Sequence, residues 1–370
     1  MNDNSIIARF KKFNLGARKK DRNTVECYDI TKPEDAPAEK LTLRAVRAAG
    51  RGTFGSVLQA VIEEKRETVA VKTVFQDPQY QNRELEIMKR LNHDSIVRLK
   101  YYYLSERRNG TYLHLMMEFL PFSLGRVLKY YSRRGEQMPV IYQQLYCYQL
   151  LRGCAYLATL HVVHRDLKPD NCLVEPERGL LKICDFGTAK KVRSGDTNVS
   201  YVCSRPYRAP ELVLGKEEYS VEVDWWSAGC VIAEIVLHRP LFCSSRGPAH
   251  QIKAMTKVLG NPSREEIGEM AVSMKNAEEA QYDKPVERQS TLEETLPEAT
   301  EPGLIHLASS LLKYSPKARA TPLQALKNSP FFEPLQDRET QIKLPNGKVV
   351  AMDIVCMSPE EEQQLGKKNR

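Results

Sequence analysis

One stretch of the sequence combines an acid, a base and an amide within eight residues, His164-Arg165-Asp166-Leu167-Lys168-Pro169-Asp170-Asn171. Asp166 can accept a proton, Lys168 can neutralise a phosphate, and Asn171 can bind a divalent cation through its side-chain oxygen. A second carboxylate follows in Asp185-Phe186-Gly187. These residue types predict a site for proton transfer and magnesium binding.

Two short strands are predicted to hold these groups together. Cys172-Leu173-Val174 and Leu180-Leu181-Lys182-Ile183-Cys184 flank a turn at 175–179, so Asn171 and Asp185 would lie at the two ends of one hairpin. Either polar turn alone would suit an ordinary hairpin, but the combination favours a catalytic site. Cys184, directly before Asp185, is a candidate border of a nucleotide pocket, and its alternative interpretation is a small buried apolar residue.

Three glycines, Gly50, Gly52 and Gly55, precede a predicted strand from Val57 to Ile62. Glycines at this spacing let a backbone approach phosphates without obstruction by side chains. The same spacing occurs in dinucleotide-binding folds, where a helix follows the glycines. Because a strand follows here, the pattern favours a phosphate-covering hairpin.

Lys72 ends the apolar strand that begins at Val69, and most such lysines are simply solvated. A helix is predicted from Gln81 to Leu91, with Glu84 on its inward side and able to reach Lys72. Arg83, one residue earlier, would point about a quarter-turn away. The Lys72–Glu84 pair is suited to holding the α- and β-phosphates of a nucleotide.

The remaining segments predict further strands and helices. Thr24 to Tyr28 resembles a short edge strand, and the folded domain is expected to begin at Leu41. Asp224 would cap a buried helix, and Arg319 is a candidate buried partner for Glu211. Further predicted elements are strands Val97–Leu104 and Thr111–Glu118 joined by a turn at 105–110, helices 138–160 and 223–237, and Phe331-Phe332 closing the last helix.

Composition indicates a soluble globular protein of 370 residues, with 42% hydrophobic and 28% charged residues. No apolar run approaches a membrane span, and nine cysteines without metal-ligand spacing indicate reduced thiols and a cytoplasmic location. The net charge of +8 arises partly in a basic arm, 1–23, expected to be disordered, with nuclear import as a second role. Because no aromatic-basic RNA motif or zinc module accompanies it, no specific nucleic-acid partner is expected.

From Leu41 to Phe332 the chain resembles eukaryotic protein kinases of the CMGC group, and most of all the glycogen synthase kinase 3 family. The subfamily resemblance rests on 74–77, 82–85, and 198–205 followed by 207–211. Mitogen-activated and cyclin-dependent kinases are the next candidates, but their Thr-x-Tyr pair and Pro-Ser-Thr-Ala-Ile-Arg-Glu helix are lacking. The resemblance implies an α+β, bilobal fold: a basic arm (1–23), a small β-rich N-lobe with one key helix (24–120), a larger helical C-lobe (121–333) and a C-terminal tail (334–370).

The resemblance also implies Ser/Thr kinase activity with ATP and Mg²⁺ as cofactors. Asp166 would be the catalytic base, Lys168 would steady the γ-phosphate, Asn171 and Asp185 would bind magnesium, and Asp224 would brace the catalytic loop. The implied ATP-binding residues are Gly50, Gly52, Gly55, Val57, Ala70, Lys72 held by Glu84, Met117, Glu118, Leu120, Leu173 and Cys184. Met117 and its neighbours also suit an ordinary inner strand.

Substrate choice follows from the same resemblance. Arg83, Arg165 and Lys190 match a pocket for a phosphate already present on the protein substrate, four residues C-terminal to the target. The alternative is that these cations pair with local carboxylates such as Asp196. Tyr201 matches an activating phosphorylation site.

Three departures from the family are evident. The inhibitory serine motif has no counterpart around Ser5, Pro206 replaces a tyrosine, and Ala271–Pro302 lacks the Pro-Trp segment of the scaffold-docking groove. Docking of axin-type scaffolds is therefore not carried over. Two other classes compete: a pseudokinase scaffold, which is disfavoured because Lys72 and both aspartates are present, and a nucleic-acid binder driven by net charge.

Overall fold

The computed structural model describes residues 24–52, 55–77, 82–193, 195–243, 247–270, 290–336 and 341–368. The chain divides into two compact units. The first contains the described residues up to Asn92 together with Val97–Leu120, and the second contains His93–Ile96 and the described residues from Pro121 onward.

The first unit is a closed six-stranded barrel in the order β1-β2-β3-β4-β6-β5. Alternating side chains of its strands point inward, as the period of two in a strand requires. They form a core that includes Val25, Cys27, Leu43, Ile62 and Val71. The strands are β1 (Thr24–Asp29), β2 (Glu39–Gly52), β3 (Gly55–Ile62), β4 (Glu67–Phe75), β5 (Leu99–Arg107) and β6 (Gly110–Glu118).

The first strand corrects two predictions. β1 is not an edge strand, because it pairs with both β2 and β5 and so closes the barrel. The folded unit therefore already includes Thr24–Asp29, ahead of the predicted start at Leu41. The reason is burial: Val25 and Cys27 enter the core, and Tyr28 stacks on Tyr102 with ring centroids 5.2 Å apart.

The helix of this unit, α1 (Glu84–Met88), is shorter than the predicted span of Gln81 to Leu91. Gln81 lies outside the described residues. The start is set by Asn82, whose side-chain oxygen accepts a hydrogen bond from the Glu84 backbone N–H at 2.9 Å. The predicted turn at 105–110 is also shorter, since β5 extends to Arg107 and β6 begins at Gly110.

The second unit is mainly helical. Its helices are α2 (Leu124–Arg134), α3 (Val140–Thr159), α4 (Pro210–Val213), α5 (Glu222–Leu237), α6 (Pro248–Leu259), α7 (Arg264–Met270), α8 (Leu292–Thr295), α9 (Pro302–Leu311), α10 (Pro322–Asn328), α11 (Glu333–Gln336), α12 (Met352–Val355) and α13 (Pro359–Lys368). Its strands are β7 (Phe122–Ser123), β8 (Val162–Val163), β9 (Cys172–Glu175), β10 (Leu180–Ile183) and β11 (Lys190–Lys191). Among the helices of the described ranges, none is both long and apolar enough to span a membrane.

The core of this unit surrounds α3 and α5, which confirms the two long predicted helices to within a few residues. Trp226 on α5 is fully buried and stacks on Phe242 at 5.5 Å. The prediction for Phe331-Phe332 is wrong: both lie in a 3₁₀ turn after α10, and the described residues beyond them form three more helices. Pro330 cannot continue an α-helix in its interior, so α10 ends before it.

Candidate active site

The catalytic loop, 164–171, is held by a buried carboxylate. Asp224 accepts hydrogen bonds from the backbone N–H groups of His164 at 2.6 Å and Arg165 at 3.0 Å. Burial raises the pKa of Asp224, and the nearby His164 and both N–H donors oppose that rise. No side chain caps the start of α5, whose N-cap residue is Val221, so Asp224 braces the loop instead of capping its helix. The brace fixes Arg165 in the left-handed region, at φ 66°.

His164 links the loop to the β9–β10 hairpin. Its Nδ1 faces the backbone N–H of Asp166 at 3.2 Å, and its Nε2 faces the carbonyl oxygen of Cys184 at 2.9 Å. These partners require Nε2 to carry the proton. His164 is fully buried and packs edge-on against Phe186 at 5.0 Å, so it serves as a structural link.

Asp166 lies among hydrogen-bond donors from three positions. Its Oδ2 accepts from Lys168 Nζ at 2.7 Å and from Asn171 Nδ2 at 3.1 Å. Its Oδ1 accepts from the Ser204 hydroxyl at 2.7 Å and from the Ser204 backbone N–H at 3.1 Å. Lys168 Nζ is also 3.1 Å from Ser204 Oγ. The site therefore holds a hydroxyl between a carboxylate and an ammonium group, which is the environment that a general base and its substrate need.

Ser204 was given no role in the sequence analysis. It stands 38 residues after Asp166, and no local pattern relates the two positions. The available signal was a hydroxyl in the stretch 198–205, which carried the subfamily resemblance.

The predicted magnesium ligands lie at one end of the hairpin. Strands β9 and β10 are antiparallel with Cys172 opposite Ile183, and the Cys184 N–H donates to the Asn171 carbonyl at 2.9 Å. Asn171 uses its amide nitrogen to bind Asp166, so its side-chain oxygen points away from that contact and is available as a ligand. Asp185, at φ 65°, adds a carboxylate.

These oxygen donors fit Mg²⁺, which binds proteins through one or two carboxylates and completes its shell with water and substrate phosphates. Within the described residues, no group of three or more His, Cys, Asp or Glu side chains could hold a metal by itself. A cation bound by Asn171 and Asp185 would take water and nucleotide phosphates as its further ligands. Bound there, it would neutralise phosphate charge.

The predicted pair in the first unit is present. Lys72 Nζ lies 2.6 Å from Glu84 Oε1, and the two side chains are 7% and 1% exposed. Lys72 stands on β4 opposite Val57 on β3 and Leu115 on β6, which fixes its direction. Lys72 and Glu84 therefore form a buried ion pair.

The glycine-rich hairpin joins β2 to β3, with Gly50 opposite Val57 and Gly52 opposite Gly55. At Gly55 a side chain is impossible, because an added Cβ would lie 2.0 Å from the carbonyl oxygen of Thr73. Residues 53 and 54, at the tip, lie outside the described residues.

The other predicted ATP-binding residues divide between the units. Ala70 and Met117 pair across β4 and β6 and are each 7% exposed, and Leu120 is the last residue of the first unit. Glu118 forms two hydrogen bonds with the backbone of Arg98. The Glu118 N–H donates to the Arg98 carbonyl, and the Glu118 Oε1 accepts from the Arg98 N–H at 2.7 Å. Leu173 lies on β9 and Cys184 directly after β10.

The protein-family model for the protein kinase domain matches residues 43–332. The chain belongs to the protein kinase family. The match covers most of the first unit and the second unit as far as Phe332, so it includes each catalytic, cation-binding and glycine-rich residue described above. It supports an enzyme that transfers phosphate to proteins and uses ATP. Strand β1 and the C-terminal residues from 333 lie outside the match.

In this kinase the two predicted primed-phosphate cations of the second unit, Arg165 through Tyr219 and Lys190 directly, connect to adjacent residues of one loop, 198–199. Arg165 donates from Nε to the Thr188 carbonyl at 2.6 Å and from Nη1 to the Tyr219 hydroxyl at 3.4 Å. Tyr219 in turn donates to the Val199 carbonyl, and Lys190 Nζ lies 2.5 Å from Asn198 Oδ1. Arg83 is exposed at the start of α1 in the first unit.

The alternative pairing with Asp196 is not found. Asp196 accepts a hydrogen bond from the Arg193 backbone N–H at 2.9 Å. Among the described residues, neither Arg165 nor Lys190 forms an ion pair with a carboxylate. Both cations are instead bound to neutral oxygens.

Tyr201 lies between β11 and α4, in the part of the chain that we call the activation loop, and is 71% exposed. The guanidinium of Arg208 lies over its ring at 4.5 Å, and Arg208 also donates to the Val202 carbonyl at 2.7 Å. Hydrogen bonding and charge from Arg205, followed by Arg208, lower the pKa of the Tyr201 phenol. Pro206, the departure from the family, lies in the 3₁₀ turn Arg205–Tyr207, at a position where its missing N–H costs little.

Helix α4, which follows the activation loop, is anchored through Glu211 as predicted. Arg319 binds Glu211 through two hydrogen bonds of 2.7 Å, and the side chains are 0% and 1% exposed. Arg319 also donates to backbone carbonyls of Glu222 and Lys313 at 2.9 Å each, so a buried guanidinium is fully used.

Proposed function

We propose that this kinase is a Ser/Thr protein kinase of the glycogen synthase kinase 3 type, which uses MgATP and prefers substrates already phosphorylated four residues C-terminal to the target. The barrel unit would be the N-lobe and the helical unit the C-lobe of a bilobal kinase. The observation that carries the proposal is the pair of cations, Arg165 and Lys190, bound to neutral oxygens beside the activation loop.

The chemistry follows from Asp166 and Lys168. The Asp166 carboxylate accepts the proton of the substrate hydroxyl, and Lys168 stabilises charge on the transferred phosphate. Magnesium, when bound by Asn171 and Asp185, neutralises phosphate charge. Lys72, held by Glu84, orients the α- and β-phosphates. Catalysis therefore depends on positioning and on fixed charges.

Serine or threonine as the acceptor is supported by Ser204. Its hydroxyl lies 2.7 Å from Asp166 and 3.1 Å from Lys168 while its backbone N–H lies 3.1 Å from the same carboxylate. A main chain this close to the base suits a hydroxyl on a short side chain. A substrate serine would replace the Ser204 hydroxyl at Asp166 and leave the backbone contact intact.

The primed-substrate preference rests on unbalanced charge. Arg165 and Lys190 are two cations linked to adjacent residues of one loop, and neither has a carboxylate partner in the described part of the chain. A phosphate on the substrate, with a charge of about −1.5 to −2, would balance them. Arg83 is the proposed third contact.

The test compares one peptide with and without a phosphoserine four residues C-terminal to the acceptor. Lys190→Ala and Arg83→Ala should each lower kcat/KM for the primed peptide by roughly 10- to 100-fold, the loss of a charge-assisted hydrogen bond. Activity on the unprimed peptide should change little. Arg108→Ala, an exposed arginine at the β5–β6 turn, is the matched control. Equal losses on both peptides would assign these residues to the fold.

Tyr201 is proposed as an activating phosphorylation site. Phosphate on this exposed phenol would meet Arg205 and Arg208, which already approach it. The proposed location is cytoplasmic, with nuclear entry through the basic arm as an addition. The proposed partners are protein substrates, with no specific nucleic acid.

A further inference from the structure

The second unit carries a cavity that contains none of the catalytic, cation-binding or activation-loop residues. It lies where α2 and α3 meet the β9–β10 turn, and its volume is about 320 Å³. Ligand pockets span roughly 300–1,000 Å³, so this one suits one or two side chains. Its lining includes five aromatic rings, those of Phe122, Tyr130, Tyr131, Tyr142 and Tyr146. We call it the aromatic cavity.

The inner wall of the aromatic cavity is fixed by contacts within the fold. Tyr142 stacks on Tyr146 with centroids 5.7 Å apart and donates its hydroxyl hydrogen to the Pro176 carbonyl at 3.0 Å. Gln143 Nε2 donates to the carbonyl of Met138, another lining residue, at 2.7 Å. A ligand would therefore meet a preformed wall.

One polar group in this wall lacks a partner. Tyr146 is 1% exposed, and its hydroxyl forms no hydrogen bond within the described chain. Burial and the nearby phenols of Tyr142 and Tyr131 raise the pKa of Tyr146, so it stays a neutral hydroxyl. Buried polar groups without partners are rare because they destabilise the fold. A ligand that supplies a hydrogen bond would remove this cost.

The rim is apolar and positively charged. Phe122 and Tyr130 are 37% and 56% exposed, so aromatic surface extends beyond the cavity. Arg126 lies over the Phe122 ring at 5.3 Å, in the first turn of α2, where the helix dipole disfavours a cation. Arg126 has no carboxylate partner among the described residues. Helix α2 holds four basic side chains and no acidic one.

We propose that the aromatic cavity docks an extended segment of a partner protein in which a large apolar side chain stands next to acidic residues. The apolar side chain fills the cavity, a carboxylate meets Arg126, and a polar group of the segment bonds the Tyr146 hydroxyl. The exposed rings of Phe122 and Tyr130 give the flanking residues a surface, which favours a peptide over a small acid. The basic arm of this chain, with seven basic and two acidic residues in 1–23, has the wrong charge.

Binding can be measured without catalysis. Two fluorescent pools of nine-residue peptides are titrated with the full chain: one carries two acidic residues beside randomised Leu, Ile, Phe, Tyr or Trp, and the other carries lysines in their place. Anisotropy should report binding of the acidic pool only. Arg126→Glu should weaken that binding by about tenfold or more, since attraction becomes repulsion, and should give measurable binding of the lysine pool. Arg108→Glu makes the same charge change on the first unit and should alter the binding of neither peptide pool.

Tyr146→Phe separates docking from folding. Removing a buried, unpartnered hydroxyl should raise the melting temperature, while affinity for the acidic pool falls by about 2- to 10-fold. Activity on a short peptide without an acidic-apolar segment should stay unchanged in all three variants.

Three results would overturn the proposal: equal affinity for both pools, tighter binding of a synthetic 1–23 peptide than of the acidic pool, or a change of oligomeric state with Arg126→Glu. The last two would make the occupant the chain's own arm or a second copy of the chain. None of them depends on whether the kinase prefers primed substrates.

Discussion

Neutralising Glu361 should release the C-terminal helix from the second unit. Helix α13 carries Glu361, which binds the buried Arg152 of α3 through two hydrogen bonds of 2.8 and 2.5 Å. His93 Nε2 lies 2.9 Å from the same carboxylate. Arg152 is 3% exposed and also donates to the Ile354 and Val355 carbonyls. This is a buried ion pair that joins residues 209 positions apart.

The size of the effect can be worked out from the carboxylate. Burial alone would raise the pKa of Glu361, but hydrogen bonds from His93 and Arg152 outweigh it and lower the pKa from 4.5 to about 2. At 1.36 kcal/mol per pKa unit, this shift corresponds to a stabilisation of roughly 3 kcal/mol. The Glu361 side chain keeps 18% of its surface in solvent, which screens the interaction, so its contribution to stability is reduced to about 2 kcal/mol. Glu361→Gln should therefore lower the free energy of unfolding by about 2–3 kcal/mol, since Arg152 stays buried without its partner.

Urea unfolding, followed through Trp225 and Trp226, measures this loss, and limited proteolysis measures release of the helix. The adjacent Glu362 is the control, since it pairs with Lys327 in a contact where both side chains are 46% exposed. Glu362→Gln should change stability by less than about 1 kcal/mol. The pKa of Glu361 is lower in the folded protein, so its contribution is present above pH 4.5 and disappears as the pH falls through 2. Equal losses for the two variants would refute the reasoning.

The other predictions concern the active site and its supports. Asp166→Asn and Asp185→Asn should nearly abolish phosphate transfer without moving the melting temperature, and near-normal activity of Asp185→Asn would sink the cation assignment. Glu211→Gln leaves Arg319 buried without its charge partner and should cost about 3–5 kcal/mol in a thermal or urea melt; a loss below 1 kcal/mol would contradict it. Tyr201→Phe should lower activity without eliminating it, and mass spectrometry of the active enzyme should detect phosphate on Tyr201; fully unmodified protein would exclude that role.

Sequence was sufficient where the structure depends on nearby residues. The β9–β10 hairpin and the groups at its ends, Asn171 and Asp185, are close in the chain, so alternation and turn residues place them. The sequence predicts helices α3 and α5 because their apolar patterns are longer than a typical strand. Glu211 and Arg319 lie 108 residues apart, and the sequence indicates them as candidate partners without defining their geometry.

What could not be predicted depends on contacts between distant segments. Closure of the barrel by β1 requires β5, more than 70 residues later, and a short alternating segment looks the same at an edge or inside a barrel. Ser204 reaches Asp166 across 38 residues. The packing of α13 on α3 depends on one ion pair and Leu365, in a segment whose charges suggest only exposure.

Buried charges explain how the second unit holds its loops. Asp224 binds the backbone of the catalytic loop 60 residues earlier, and Arg319 binds the carbonyls of Glu222, at the start of α5, and Lys313, just after α9, while it anchors Glu211. Burying charged groups without further hydrogen bonds would be costly. Charged groups that also hydrogen-bond to backbone groups of a loop hold that loop in place. The left-handed backbone conformation of Arg165 is strained, and the hydrogen bond from its N–H to Asp224 stabilises it. The position of Asp166, the next residue, is therefore set by α5.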